Sequence, residues 1–160
     1  MRYLLTHSSW ISGVVGSVGT QIKKLALAFM SVMKQPLKVL LAEDNLVNQK
    51  VALRLLERIG CQADAVSNGL EVLEALRQRR YDVVLMDMYM PEMDGITAAR
   101  QICREMHPTI RPRIIAITAS TLESDRHECI QAGMDDYLSK PLRLQELTQV
   151  LNQCEPVGYF

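Results

Sequence analysis

The chain has 160 residues, 48% of them hydrophobic, and its 18 basic and 18 acidic side chains leave no net charge. That is enough chain for one domain with a full core plus a tail, and the composition excludes a disordered polymer. The charge is uneven: residues 1–33 hold Arg2, Lys23 and Lys24 and no acid, and the other 15 basic and 18 acidic residues leave the remainder at −3, which disfavours direct nucleic-acid binding.

Residues 1–33 carry apolar stretches from Trp10 to Val18 and from Leu25 to Val32, separated by Lys23-Lys24. Neither reaches the ~18–20 apolar residues of a spanning helix, so no membrane span is expected. Ala26-Leu27-Ala28 resembles a signal cleavage site, but the two lysines lie between it and the apolar run, where a secretory signal does not place them. The segment reads as a linker from a longer protein or an upstream extension, and less well as a weak amphipathic membrane-surface segment. The domain is expected over 34–154, with a short tail over 155–160 and no effector domain after it.

From residue 37 onward, short apolar runs alternate with helical patterns. Strands are predicted over 37–42, 61–66, 81–86, 113–118 and 135–139. Between them lie apolar faces at helical spacing: Val47, Val51, Leu55 and Ile59; Leu70, Leu73 and Leu76; Ile96, Ala99, Ile102, Cys103 and Met106; and Leu144, Leu147, Leu151 and Cys154. The 122–132 segment is weaker, with Leu122, Cys129 and Ile130 as its large anchors. Asn45, Asn68-Gly69 and Thr121 are placed to open helices, and Gly60 and Gly133 to close them. Five βα units predict an α/β fold, a doubly wound five-stranded parallel sheet with five helices and right-handed crossovers. The continuous apolar runs Val83-Val84-Leu85-Met86 and Ile114-Ile115-Ala116-Ile117 belong to interior strands.

The polar residues that end these strands carry the chemistry. Asp87 follows the third run, and Glu43-Asp44 follows the first. Thr118 ends the fourth, and Lys140-Pro141 follows the fifth. In open parallel sheets the carboxyl edge is where ligands bind. Three carboxylates at one edge repel each other unless a counter-ion is present, and hard oxygen ligands with room for water and phosphate suit Mg²⁺. Lys140 would neutralise a phosphoryl group as a point charge. The four cysteines stand singly, without metal-ligand spacing, and fit small packed side chains in a reducing cytosol.

Four motifs, Ala-Glu-Asp-Asn-Leu-Val-Asn-Gln (42–49), Leu-Met-Asp-Met-Tyr-Met-Pro-Glu-Met-Asp-Gly (85–95), Ile-Thr-Ala (117–119) and Ala-Gly-Met-Asp-Asp-Tyr-Leu-Ser-Lys-Pro (132–141), stand in this order. Together they resemble the receiver domains of two-component response regulators over about residues 37–153, and in style those of hybrid sensor histidine kinases. The resemblance implies a flavodoxin-like receiver fold in which Asp87 is the phosphoacceptor, charged by a histidine kinase or a histidine phosphotransfer domain. It implies Mg²⁺ held by Glu43, Asp44, Asp87 and the backbone carbonyl of Tyr89. Thr118 would be the switch hydroxyl, Tyr137 the aromatic switch and Lys140 the phosphoryl-binding lysine, with a cis peptide before Pro141. Tyr89 and Ser120 would tune dephosphorylation. No phosphoacceptor-histidine helix or nucleotide-binding glycine box is present, so the chain reads as a cytoplasmic signalling domain, either stand-alone or part of a hybrid kinase.

Two other functions fit the pattern less well. An aspartyl phosphohydrolase using Mg²⁺ needs a second acid two residues after its nucleophile, and Tyr89 stands there. A receiver-like module that is never phosphorylated would be expected to lack one of Asp87, Lys140 or the acidic pair.

Overall fold

The computed structural model describes residues 36–119 and 123–157, the side chains of 123 and 124 excepted. The leader over 1–33, Ser120, the cap at Thr121 and the anchor at Leu122 lie outside the described residues. Five strands form one parallel sheet: β1 (Lys38–Ala42), β2 (Gln62–Val66), β3 (Val83–Asp87), β4 (Arg113–Thr118) and β5 (Asp136–Ser139), in the order β2-β1-β3-β4-β5. The helices α1 (Leu46–Ile59), α2 (Gly69–Gln78), α3 (Gly95–Glu105), α4 (Glu123–Gln131) and α5 (Leu144–Asn152) follow the strands in turn. The sheet class and the interior positions of β3 and β4 are as expected.

Strand alternation divides the core into two layers. Leu40, Val84, Met86, Ile114 and Ala116 face α2, α3 and α4, where they meet Val72, Ile96, Ile102 and Cys129. Val39, Leu41, Leu85, Ile115 and Ile117 face α1 and α5, where they meet Leu56, Leu147 and Leu151. A residue pointing to either side of β3 is therefore covered, which is why all five of its residues are buried.

The first helix differs from the expectation. Its buried residues are Ala52 and Leu56, whereas Val47 and Val51 are 69% and 52% exposed. The Val47-Val51-Leu55-Ile59 stripe lies to one side of the true core face, and of its members Leu55 and Ile59 are partly buried. In α2 the exposed Leu70 likewise gives way to Val72, while Leu73 packs as expected.

Capping follows the sequence closely. The Asn45 side chain accepts from the N–H groups of Val47 and Asn48, and that of Asn68 from Glu71 N–H. Gly60 and Gly133 close their helices in the left-handed region, with φ of 87° and 88°. Gly95 has a different reason to be glycine: a Cβ there would fall on the carbonyl oxygen of Asp87. Its N–H also donates to Met88 O at 3.0 Å, so the start of α3 is seated directly against the loop after β3.

At the opposite edge of the sheet, the buried Asp82 carboxylate accepts from Lys38 N–H and Val157 N–H, both at 2.8 Å. That pair ties the chain beyond α5 to the start of β1.

Candidate functional site

The parallel register delivers the polar residues to one place. Ala42 pairs with Met86, Asp87 with Ile117 and Thr118 with Ser139, so the residues at and just after these positions converge at the carboxyl edge. Lys140 N–H donates to Thr118 O at 2.8 Å, extending the β4–β5 pairing to the lysine itself. The Lys140–Pro141 peptide is cis.

Carboxylate oxygens of Glu43, Asp44 and Asp87 lie within 4.8 Å of one another. Glu43 and Asp87 are buried, and Asp44 is exposed at the mouth. The Lys140 ammonium bridges the buried pair, 2.6 Å from Asp87 Oδ2 and 2.7 Å from Glu43 Oε2. Asp87 Oδ1 accepts from Tyr89 N–H at 3.3 Å. Burial pushes the Asp87 carboxyl above its ordinary range and Glu43 adds to that push, while Lys140 and the Tyr89 amide pull it back without cancelling it. For Lys140 burial works against the charge, but the two carboxylates outweigh it and hold the ammonium more firmly protonated.

Thr118 is buried at the end of β4, beside this pair. Tyr137 is 41% exposed and points outward, with the Arg126 guanidinium 4.8 Å from its ring centroid. Tyr89 is 66% exposed, its side chain free of the buried cluster. Of the expected site residues, Glu43, Asp44, Asp87 and Lys140 are in mutual reach, Thr118 is adjacent, Tyr137 is turned away, and Ser120 is not described.

Three contacts go beyond what the sequence patterns foretell. Asn48 Nδ2 donates to Glu43 Oε1 at 2.9 Å. Gln49 Nε2 donates to the Glu43 carbonyl at 2.5 Å and approaches Val66 O and Ser67 Oγ, both at 3.4 Å. The third is the Arg126 contact on Tyr137. The first two carry a faint signal, since Asn45, Asn48 and Gln49 share the first turn of a helix that opens at the acidic pair.

The family model for the response regulator receiver domain matches residues 39–152, more than half of the chain. Histidine protein kinase 1 of Candida albicans is 39% identical over 127 residues, covering 74% of this chain and 5% of its own length. Hybrid signal transduction histidine kinase K of Dictyostelium discoideum is 40% identical over 121 residues, covering 71% and 10%. The chain thus spans a small fraction of these curated relatives. Among solved structures, the receiver domain of sensor histidine kinase PA1611 from Pseudomonas aeruginosa, described with a magnesium ion in its active-site cleft, is 41% identical with a TM-score of 0.67, covering 74% of this chain and 96% of that one. A co-crystal structure of the Saccharomyces cerevisiae histidine phosphotransfer protein Ypd1 with the receiver domain of Ssk1 matches at 27% identity and a TM-score of 0.67, covering 73% of this chain and 87% of that one. Among the described residues, no helix is long and apolar enough to cross a membrane. By fold, motif and family match, this chain belongs to the response regulator receiver domains, a signalling family rather than one of classical enzymes, and its relatives include hybrid histidine kinases.

Proposed function

We propose that the chain accepts a phosphoryl group on Asp87 from a phosphohistidine, on a histidine kinase or a histidine phosphotransfer domain, in a cytoplasmic relay. The observation that carries this reading is a buried carboxylate held against a lysine at 2.6 Å, beside two further acids. An Asp87 oxygen attacks phosphorus, the phosphorus–nitrogen bond to the donor imidazole breaks, and an acyl phosphate remains. On this reading Lys140, 2.6 Å from Asp87, would keep its charge on the transferred group, and burial would limit competing water. On the same reading Thr118, buried at the end of β4, would donate its hydroxyl to a phosphoryl oxygen.

The donor set fits Mg²⁺: three carboxylates with oxygens within 4.8 Å carry more negative charge than one ammonium balances, and the exposed Asp44 leaves room for water. Glu43, Asp44 and Asp87 would hold the ion with the Tyr89 carbonyl, and the bound ion would supply further positive charge against the phosphoryl oxygens. In the absence of the ion, Lys140 is the counter-charge for both buried acids.

The exposed stripe on α1 supplies the docking face. Leu46, Val47 and Val51 are 67%, 69% and 52% exposed. A cleft of about 420 Å³, lined in part by Glu43, Val51, Lys140 and Leu142, joins that apolar surface to the acids. A histidine-bearing helix of a phosphotransfer domain is the occupant that this arrangement suits, since it needs both an apolar seat and an approach to Asp87.

The test is acyl chemistry. Incubated with a small phosphodonor and Mg²⁺, the protein should take up phosphate that hydroxylamine releases, and Asp87→Asn should take up none. Unchanged hydroxylamine-labile phosphate in Asp87→Asn would overturn the assignment.

A further inference from the structure

The loop bearing Glu43 and Asp44 is fixed by the helix that it opens. The Asn45 side chain caps α1, and Gln49 reaches back to the Glu43 carbonyl. Asn48 does something different, because its amide addresses the carboxylate itself. Glu43 Oε2 belongs to Lys140 at 2.7 Å, while Oε1 accepts from Asn48 Nδ2 at 2.9 Å and from Asn45 N–H at 3.3 Å. A carboxylate only accepts, so the nitrogen end of the Asn48 amide must be the one presented. Rotation of the Glu43 carboxylate about its last torsion would misalign both sides together. The Glu43 side chain is 4% exposed, which leaves little room for water to replace either donor.

The two holds on Glu43 are not equivalent. Lys140 also faces Asp87, and on the phosphoacceptor reading it is the residue drawn toward a phosphoryl group. The Asn48 amide is bonded to Oε1, the Glu43 oxygen that Lys140 does not take. It is therefore the side chain that fixes the Glu43 carboxylate plane when Lys140 is engaged elsewhere.

We infer that Asn48 is a positioning residue that makes the acidic site selective for Mg²⁺ over Ca²⁺, by holding the Glu43 carboxylate in one orientation. The inference rests on the proposed phosphoacceptor site and adds a role to a residue outside its ligand set. The physical basis is the difference between the ions. Mg²⁺ demands near-ideal octahedral geometry at short distances, whereas Ca²⁺ accepts a larger and looser oxygen shell. Releasing a ligand-bearing side chain should therefore penalise the smaller ion more. Partners that orient metal ligands are typically worth about 10-fold or more in metal affinity.

The experiment is calorimetric titration of the full chain and its Asn48→Ala variant with Mg²⁺ and, separately, with Ca²⁺, in the absence of phosphodonor. Alanine is a good helix former at an exposed helical position, and the unfolding midpoint in chelator checks that the variant is folded. The expected result is Mg²⁺ affinity about 10-fold weaker, Ca²⁺ affinity changed by less than about 3-fold, and an unfolding midpoint close to that of the parent. Equal losses for both ions would mean a general loss of the site, and unchanged Mg²⁺ affinity would mean no positioning at all; either overturns the inference and leaves the phosphoacceptor reading standing. A parent chain that binds neither ion would overturn that reading, and the role of Asn48 with it.

Discussion

Replacing the central acid should make the domain more stable. Asp87 is 5% exposed and its carboxyl is pushed above the ordinary range, chiefly by burial. Glu43 and Asp44 place carboxylate oxygens within 4.8 Å of it. At an effective dielectric constant of about 20, unit charges at that separation repel by about 3.5 kcal/mol, and Asp44 contributes less because solvent screens it. Lys140 attracts Asp87 at 2.6 Å, worth about 6 kcal/mol on the same scale. That ammonium is shared with Glu43 and would remain paired with it in the variant. Attraction to Lys140 exceeds the repulsion from Glu43 by about 2.5 kcal/mol, and the desolvation of a buried carboxylate, the largest influence on Asp87, outweighs that difference and remains as the net cost. Asp87→Asn removes that cost while preserving shape, so a gain of about 1–3 kcal/mol at pH 7 follows, or about 4 °C in Tm for each kcal/mol.

The sign of the pH dependence is fixed by the same shift. A carboxyl whose folded-state pKa is raised binds its proton more tightly in the folded than in the unfolded chain, so stability falls as pH rises from the ordinary value of 3.8 to the raised one. The advantage of Asp87→Asn should be complete above that window and absent below it. Urea unfolding of both proteins in chelator, from neutral pH downward, measures this. A variant no more stable than the parent at pH 7, or a gap that widens on acidification, would refute the reasoning.

Val47→Asp, on the exposed apolar stripe, should slow phosphoryl uptake from a phosphohistidine domain at least 10-fold while leaving uptake from a small phosphodonor within about 2-fold, as rapid-quench kinetics with each donor would show. If Tyr89 tunes dephosphorylation as proposed for its position two residues beyond Asp87, Tyr89→Ala and Tyr89→Glu should both shorten the lifetime of the acyl phosphate; identical decay in all three proteins would remove Tyr89 from that role. Hydrogen exchange should find α4 the least protected of the five helices, since Cys129 is its only buried side chain among those described, and a phosphoryl mimic should alter exchange over 119–139, where Tyr137 lies under Arg126.

How far the sequence could be read depended on which contacts were local. The βα alternation, the interior position of Val83–Asp87 and the convergence of Glu43, Asp87 and Lys140 follow from apolar runs that end in polar residues, and a parallel sheet puts all such ends on one edge. Hydropathy points to the wrong face of α1 because it ranks Val47 and Val51 above Ala52, while the helix packs through Ala52 and Leu56, where a small side chain allows close approach to the sheet. Period alone gives a stripe, and here its first two members, Val47 and Val51, lie on the outer surface while Leu55 and Ile59 reach the edge of the core. The Asn48 and Gln49 contacts depend on how the first turn of α1 folds back over Glu43, which no spacing rule specifies. The stacking of Arg126 on Tyr137 joins two elements through side-chain orientations that the sequence leaves open.

The central claim is that Asp87 accepts phosphate from phosphohistidine, and intact-mass measurement after mixing with a phosphorylated histidine phosphotransfer domain tests it most directly. The account predicts the mass of one phosphoryl group added in the presence of Mg²⁺, located at Asp87 by reductive trapping, and absent in Asp87→Ala or in chelator. Equal phosphorylation of Asp87→Ala, or a phosphoryl group mapped to another residue, would contradict it.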